Sequence, residues 1–402
     1  MWANLLTIHL FYSIIILQFI KEGDIMIYLD YSATTPVHKD VLDTFCKVTN
    51  EFIGNPNSLH DLGSKSKDLI DAANKQIADI LKVKESEIIY TSGSSESNNT
   101  VIKGICLKYP NRKHIITTKF EHSSIYGPIG YLQTLGYEVE FVDSDSNGLV
   151  NLEHLKSLLK KDTILVSIGA VNSEIGIIQP INEIGKTIKE NSNAFFHSDI
   201  TQIVGKKEID LSNVDLASFS AHKFYGIKGI GGLIKKEGID IIPLIHGGKS
   251  TTKYRSGTPT VALIASMAKA LRLAYEKLGS YEQIRKFNEY LQKELVFNKN
   301  VKINSNEKCI AHILNLSVIG VKPESLLHAL EKHEIYISTQ TACSSTNSLS
   351  KSVLSLTNDE ERAKSSIRIS LSYNTTKEEL NEFIKIFKNE VTKLLEVAHE
   401  NN

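Results

Sequence analysis

Apolar residues recur along the chain in two patterns, one helical and one typical of buried strands. Between residues 65 and 82 they return every three or four positions, which predicts an amphipathic helix. Short apolar or β-branched runs follow, several of them separated by helical stretches. The runs are EIIYT (87–91), HIITT (114–118), VEFVD (139–143), TILVSIGAV (163–171), AFFHSD (194–199), LASFS (216–220) and GGLIKK (231–236). Buried strands that alternate with helices predict an α/β fold with a mainly parallel central sheet.

The pattern changes after about residue 262. A long helix is predicted over roughly 262–298, and short strands mixed with helices follow to the end. We therefore predict a large domain over 38–280 and a smaller α+β domain. On the pattern alone the segment before residue 38 could join either domain. We assign residues 26–37, together with 281–402, to the smaller one.

The first 25 residues differ from the rest of the chain. Residues 5–20 are mostly apolar, which is short for a membrane span of about 20 residues. No positive charge precedes the run and no small-residue cleavage site follows it, so it does not resemble a signal peptide. The favoured interpretation is an incorrectly assigned start, with Met26 as the true first residue, and the alternative is a membrane anchor. We expect no membrane association and a cytoplasmic location.

Charge and cysteine content exclude several classes of protein. The 402 residues contain 46 Lys+Arg and 46 Asp+Glu, so the net charge is zero. Direct binding of nucleic acid through a basic surface is therefore not expected. The four cysteines, Cys46, Cys106, Cys309 and Cys343, are far apart and form no CxxC pair. A disulfide scaffold is excluded, no metal site is predicted, and a reducing compartment is expected.

Polar residues follow the predicted strands, at the edge where open α/β sheets bind ligands. They are Ser92-Gly93-Ser94-Ser95, Glu121-His122, Asn172, His197-Ser198-Asp199 with Gln202, and Ser220-Ala221-His222-Lys223. The sequence contains neither GxGxxG nor GxxxxGK[ST], so the two common nucleotide-binding loops are absent.

Two of these groups point to one cofactor. A strand, then SGSSESNN, then a helix suits a phosphate, although taken alone the motif favours a serine-rich helix cap. Asp199 and Lys223 each follow a buried run. A carboxylate for a pyridinium nitrogen and a lysine for a Schiff base are what proteins contribute to pyridoxal phosphate chemistry. Together with the phosphate loop, they favour the cofactor interpretation over a structural one.

Ordered motifs along the chain carry a resemblance to a known family. They are YLDYSATTP (28–36), GNPNSLH (54–60), TSGSSESNN (91–99), EHSS (121–124), VNSEIG (171–176), HSDITQ (197–202), SFSAHKFYGIKG (218–229), HGG (246–248), RSGT (255–258), TACSS (341–345) and SSIRISLS (365–372). The sequence from Met26 onward resembles the NifS/IscS cysteine desulfurases, which are fold-type I pyridoxal phosphate enzymes. The resemblance implies a homodimer that converts L-cysteine into L-alanine and an enzyme-bound persulfide.

The resemblance also implies a role for each matching residue. Lys223 forms the Schiff base, Asp199 pairs with the pyridine nitrogen, and Gln202 binds the phenolic oxygen. His122 stacks on the ring and moves protons. The phosphate is held by Ser94, Ser95, Ser220 and His222, with Thr258 of the partner subunit. The substrate carboxylate is bound by Asn172 and Arg368, and Arg suits this task because its planar fork matches a carboxylate.

Cys343 matches the nucleophile that accepts sulfur. Its neighbours in TQTACSSTNS are polar, which predicts an exposed loop, and a thiolate on a loop can react with substrate and then with an acceptor. Cys46 and Cys106 stand among apolar neighbours on helical patterns, so buried structural roles are predicted for them. Cys309 is assigned no role.

The sequence departs from the family at positions that leave its subgroup open. Lys249 in HGGKST, GIKG over 226–229 and Tyr373 in SLSY replace the residues that are common there. The implied acceptor is a sulfur-carrier partner, either an IscU-type scaffold for Fe–S clusters or a ThiI-type tRNA thiolase. Alternatives are a selenocysteine lyase, an aminotransferase, and a non-catalytic, membrane-tethered sulfur-transfer scaffold. Lys223 and Cys343 argue against the last.

Overall fold

The structure, a computed structural model, describes residues 26–248, 250–339 and 349–400. The predicted N-terminal extension, Lys249 and Cys343 lie outside the described residues. Within them the strands are β1 (Ile27–Tyr28), β2 (Ile88–Thr91), β3 (His114–Thr117), β4 (Glu138–Phe141), β5 (Thr163–Ser167), β6 (Phe195–Asp199), β7 (Leu216–Ser220), β8 (Gly231–Lys235), β9 (Val301–Ile303), β10 (Ile313–Val318), β11 (Ile335–Tyr336) and β12 (Ser366–Ser370).

The helices connect and cover these strands. They are α1 (Lys39–Glu51), α2 (Asp61–Leu81), α3 (Ser94–Lys108), α4 (Ser123–Thr134), α5 (Leu152–Leu158), α6 (Ile181–Asn191), α7 (Val261–Glu276), α8 (Tyr281–Leu295), α9 (Pro323–Glu331), α10 (Lys351–Thr357), α11 (Glu360–Lys364) and α12 (Lys377–Glu400). In the described ranges no helix is both long and apolar enough to cross a bilayer.

The predicted α/β fold is confirmed by a seven-stranded sheet. Its strand order is β2-β8-β7-β6-β5-β3-β4, and each of the seven apolar runs supplies one strand. Neighbouring strands are parallel except that β8 is antiparallel to both β7 and β2. The carboxyl ends of the parallel strands therefore meet at one edge, where the polar residues were predicted.

Two hydrophobic clusters cover the two faces of this sheet. Leu165 belongs to one cluster and Val166 to the other, and Ile115 and Ile116 divide in the same way. Successive side chains of a strand point to opposite faces, so strands buried on both faces are apolar at nearly every position. This is why the strands read as continuous apolar runs in the sequence.

The prediction of one long helix over 262–298 is wrong in one respect, because the segment forms two helices. Helix α7 ends at Glu276 and α8 begins at Tyr281, with a 3₁₀ turn over Leu278–Ser280 between them. Gly279 and Ser280 are poor helix formers, and their combined cost permits the break. The periodicity continues across it, which concealed the turn.

A third hydrophobic cluster packs the elements at the end of the chain together. Strands β12, β10 and β9 form an antiparallel sheet, and β1 pairs in parallel with β11. Ile27 and Leu29 are buried in the same cluster as Leu314 and Phe383. This packing supports the assignment of residues 26–37 to the smaller domain, and the domain boundaries themselves remain a prediction.

Cys46 does not have the buried position that its neighbours suggested. It is exposed on α1, whereas Cys106 is buried in α3. The apolar residues of α1 that are buried, Val41 and Val48, lie on another face of the helix. Apolar neighbours in sequence therefore did not place Cys46 on the buried face.

Candidate active site

A cavity of about 550 Å³ opens at the carboxyl ends of the parallel strands. It is lined by most of the residues that the sequence singled out: Ser94, Ser95, His122, Asp199, Gln202, Ser220, His222, Lys223 and Arg368. These residues come from α3, α4, the ends of β6 and β7, and β12. Residues far apart in the sequence are thus brought to one wall by the strand order.

Lys223 ends the 3₁₀ turn that follows β7. Its Nζ donates hydrogen bonds to the carbonyl oxygens of Ser32 and Ala33, each at 2.7 Å. The segment after β1 therefore holds the amine at the cavity wall. The Ser32 hydroxyl, which also lines the cavity, is buried and has no hydrogen-bond partner among the described residues.

Asp199 is held by two donors at the end of β6. Its Oδ1 accepts from the backbone N–H of Thr201 at 3.0 Å, and its Oδ2 accepts from Asn98 Nδ2 at 2.8 Å. The same amide nitrogen of Asn98 donates to Ser124 Oγ at 2.8 Å. The carboxylate is therefore fixed in direction, with Asn98 joining it to the start of α4.

His122 is the cap of helix α4. Its Nδ1 accepts from the backbone N–H of Ser124 at 3.1 Å and lies 2.8 Å from Ser124 Oγ. Burial lowers the pKa of His122, and the Asp199 charge opposes this only in part. Because Nδ1 is an acceptor, the neutral ring carries its proton on Nε2.

The loop between β2 and α3 forms an anion cradle. The backbone N–H of Ser94 donates to Ser220 Oγ at 2.7 Å, and Ser220 Oγ lies 2.9 Å from Ser94 Oγ. Gly93 has a φ of +154°, and a Cβ there would lie 3.3 Å from Ser220 Oγ. Gly93, the N-cap residue of α3, has no side chain of its own to accept from the first-turn N–H groups. The cradle thus presents hydroxyls and a helix N-terminus.

His222 completes this side of the cavity as a neutral group. Burial, with the nearby Lys223 cation, lowers the pKa of His222 to about 4. Its Nδ1 lies 3.4 Å from Thr34 Oγ1. A neutral imidazole beside the cradle offers a hydrogen bond rather than a charge.

Arg368 lies in β12 and is 2% exposed. Its Nη2 forms an ion pair with Asp30 at 2.8 Å, and its Nη1 donates to the carbonyl oxygen of Ser173 at 2.9 Å. Its Nε is buried and has no partner within the described ranges. The guanidinium is therefore oriented, with a donor still available.

Two predicted residues do not line this cavity. Asn172 donates to the carbonyl oxygen of Phe120 at 2.8 Å and to Ser352 Oγ at 3.1 Å, and its Oδ1 accepts two backbone N–H groups. In this geometry its amide has no donor left for a substrate carboxylate. Thr258 is exposed and lines separate grooves.

Three further residues, two that line the cavity and one that is buried against Asp199, were not singled out as site residues. Glu121 is held by Thr118 Oγ1 at 2.6 Å and by the backbone N–H of Gly169 at 3.0 Å, and burial raises the pKa of its carboxyl to about 7. Ser32 and Asn98 are the others. Asn98 follows Ser94 by four residues, so helical spacing was a usable signal for it.

Two of the described cysteines have thiols that burial makes poor nucleophiles. Burial raises the pKa of the Cys106 thiol to about 12 and that of Cys309 to about 11. Thiols with such pKa values are almost entirely protonated near pH 7, and the thiolate is the nucleophile. Cys343 lies outside the described residues.

Comparisons with known proteins identify the family of the chain. Residues 27–383 match the family model "Aminotransferase class-V". The cysteine desulfurase IscS of Dictyoglomus turgidum is 39% identical over 379 residues, covering 92% of this chain and 96% of that protein. A solved NifS-like protein has 34% identity and a TM-score of 0.86, covering 92% and 100%. SspA in complex with cysteine has 30% identity and a TM-score of 0.76, covering 87% and 99%.

Proposed function

The chain belongs to the class-V aminotransferase family and is a pyridoxal phosphate-dependent cysteine desulfurase, and from this premise we propose how its residues divide the reaction. The observation that carries the proposal is the convergence of Lys223, Asp199, His122 and Arg368 on one cavity. L-cysteine is the substrate, L-alanine is the product, and Cys343 takes the sulfur as a persulfide.

The donor set around the cavity fits the cofactor. Ser94 and Ser95 lie in the first turn of α3, where backbone N–H groups and the helix dipole favour a phosphate. Ser220 and His222 line the same cavity, and Ser220 Oγ lies 2.9 Å from Ser94 Oγ. The buried Ser32 hydroxyl, unpartnered among the described residues, adds a further polar group. When bound, the cofactor supplies the electron sink that weakens the Cβ–S bond of the substrate.

The residues at the ring have separate tasks in this proposal. With the cofactor bound, Lys223 would hold it through Nζ and would move protons at the substrate. Asp199, fixed by Asn98 and Thr201, would keep a proton on the pyridine nitrogen. His122 would stack on the ring, and Gln202 would donate to the phenolic oxygen. In the tautomer fixed by Ser124, the neutral His122 ring is an Nε2–H donor, and it gains a proton only at Nδ1, in place of the Ser124 hydrogen bond.

Arg368 binds the α-carboxylate of L-cysteine. Its Nε is buried without a partner in the described part of the chain, and the ion pair with Asp30 holds the rest of the group in place. A buried guanidinium that binds a second carboxylate donates further charge-assisted hydrogen bonds to it. Asn172 contributes indirectly in this proposal. Its Oδ1 orders the turn that contains Ser173, and the carbonyl oxygen of Ser173 accepts a hydrogen bond from Arg368.

Replacement of Arg368 tests this assignment. Arg368→Ala is expected to weaken L-cysteine binding by roughly 10- to 100-fold, because loss of a charged partner costs about 1.5–3 kcal/mol. Arg368→Lys keeps the charge but loses the planar fork, so an intermediate affinity is expected. Titration of the cofactor absorbance with L-cysteine measures both. An unchanged affinity in Arg368→Ala, with cofactor still bound, would remove the carboxylate role.

We also propose a homodimer. Thr258 is exposed and lines a groove next to the cavity but not the cavity of its own chain, as a residue that serves a partner's phosphate site would. Arg255, three residues earlier, forms an ion pair with Glu96 of α3 at 3.0 Å, which ties this loop to the cradle. Sedimentation equilibrium at micromolar concentration is expected to give twice the chain mass.

The acceptor is proposed as a protein that takes sulfur from Cys343, for Fe–S clusters or for tRNA thiolation. The decisive assay for the activity supplies L-cysteine alone and measures alanine and sulfur. Equal amounts are expected without any 2-oxo acid. An aminotransferase would require a 2-oxo acid and release no sulfur, and a selenocysteine lyase would act on L-selenocysteine while sparing L-cysteine.

A further inference from the structure

Lys206 is a buried amine that the reaction as described does not use. It lies in the turn after β6 and is 7% exposed, whereas the adjacent Lys207 is exposed. Its Nζ donates to Gln202 Oε1 at 2.7 Å. A lysine without an acidic partner is rarely buried, so its position calls for an explanation.

The charges around Lys206 make its burial more costly. The groups that act on it are the cations Lys223 and Arg368, and no carboxylate of the described residues contributes. His312 also faces it, and burial with the Lys206 charge lowers the pKa of that ring to about 3. Burial and the two cations lower the pKa of Lys206 to about 7. Among the described residues, the Gln202 oxygen is the one hydrogen-bond acceptor for this ammonium.

The contact with Gln202 has a directional consequence. A side-chain amide has an oxygen that accepts and a nitrogen that donates. Because the Lys206 amine can donate only to the oxygen, it fixes which side of the Gln202 amide carries the oxygen and which carries the nitrogen. Gln202 Nε2 then donates to the carbonyl oxygen of Ser32 at 3.0 Å. Lys223 Nζ donates to the same oxygen at 2.7 Å. Lys206, Gln202, Ser32 and Lys223 thus form one hydrogen-bonded series.

We propose that Lys206 is a positioning residue that keeps the amide nitrogen of Gln202 directed to the cavity as a donor for the phenolic oxygen of the cofactor. Without Lys206, the Gln202 amide could rotate by half a turn. Its oxygen would then face the phenolic oxygen of the cofactor, and the two oxygens would repel each other. This inference rests on the proposed function, because Gln202 touches the cofactor only if the cofactor occupies this cavity.

Cofactor affinity, measured by dialysis of the whole protein against pyridoxal phosphate, tests the proposal. Lys206→Met keeps the length and apolar stem but removes the donor, and we expect its dissociation constant to rise about tenfold. Lys206→Gln retains an N–H donor and is expected to stay closer to the unmodified protein. Thermal unfolding of the cofactor-free proteins checks that the variants are folded.

A double-variant comparison separates positioning from a general structural effect. In a Gln202→Met background, Lys206→Met is expected to change the dissociation constant no further, because its target amide is gone. An equal loss in both backgrounds, or no loss in either, would overturn the proposal. If Lys206→Met does not fold, Lys206→Thr, whose hydroxyl is too short to reach Gln202, carries the same expectations. If the unmodified protein bound no cofactor, the proposed function would fail instead.

Discussion

Lys223→Ala is expected to abolish desulfurase turnover, lowering alanine formation by roughly 10³-fold or more, because covalent and proton-transfer roles are lost together. The Nζ of Lys223 is held by the Ser32 and Ala33 carbonyl oxygens at the cavity wall, at 2.7 Å from each. Neither carbonyl oxygen can replace an amine. The measurement is alanine formed from L-cysteine at saturating cofactor.

The same variant should still bind the cofactor weakly through the cradle of Ser94 and Ser220, but without the visible absorbance of a lysine-linked cofactor. Lys186→Ala is a matched control, since Lys186 is 69% exposed on α6 and far from the chemistry. Borohydride reduction and peptide mapping of the unmodified protein should locate the cofactor on Lys223. A reduced adduct on Lys228, which also lines the cavity, would make the assignment wrong.

Cys343→Ser is expected to leave cofactor and substrate binding intact and to reduce alanine formation by roughly 10²-fold or more. A hydroxyl is a far poorer acceptor for sulfur than a thiolate, so the reaction should stop with cysteine bound. The cavity residues that hold the cofactor come from other parts of the chain. Absorbance spectra should therefore resemble those of the unmodified protein before and after cysteine is added.

Cys46→Ser is the appropriate control for that variant. Cys46 is exposed on α1, although the sequence predicted a buried position for it. The Cys46→Ser variant is expected to form alanine at the full rate and to carry sulfur after incubation with L-cysteine. Loss of alanine formation in Cys46→Ser, with Cys343→Ser active, would contradict the proposed nucleophile.

The sheet and most of the cavity wall followed from the sequence for one physical reason. Strands buried on both faces are apolar at most positions, so they are visible as runs, and parallel strands place their following residues at one edge. Asp199 and Lys223 were found this way, at the ends of β6 and β7. The resemblance then supplied Arg368, which pattern alone would have left as one residue of a short strand.

Other features depend on packing that local sequence does not encode. Lys206 and Lys207 are identical neighbours in the sequence, yet one is buried beside the site and the other is exposed. The break between α7 and α8 interrupts no hydrophobic periodicity. Asn172 was matched to the carboxylate site by motif, but its amide is committed to protein contacts. Such outcomes are decided by which neighbours the fold brings, not by residue type.

The most direct test of the account is mass spectrometry of the unmodified protein after incubation with L-cysteine and no acceptor. A mass gain of one sulfur atom is expected on the peptide that contains Cys343, and a reducing agent should reverse it. Cys106 and Cys309 should carry none, because burial raises their thiol pKa values to about 12 and about 11. Sulfur found on the exposed Cys46 instead, with the Cys343 peptide unmodified, would contradict the account.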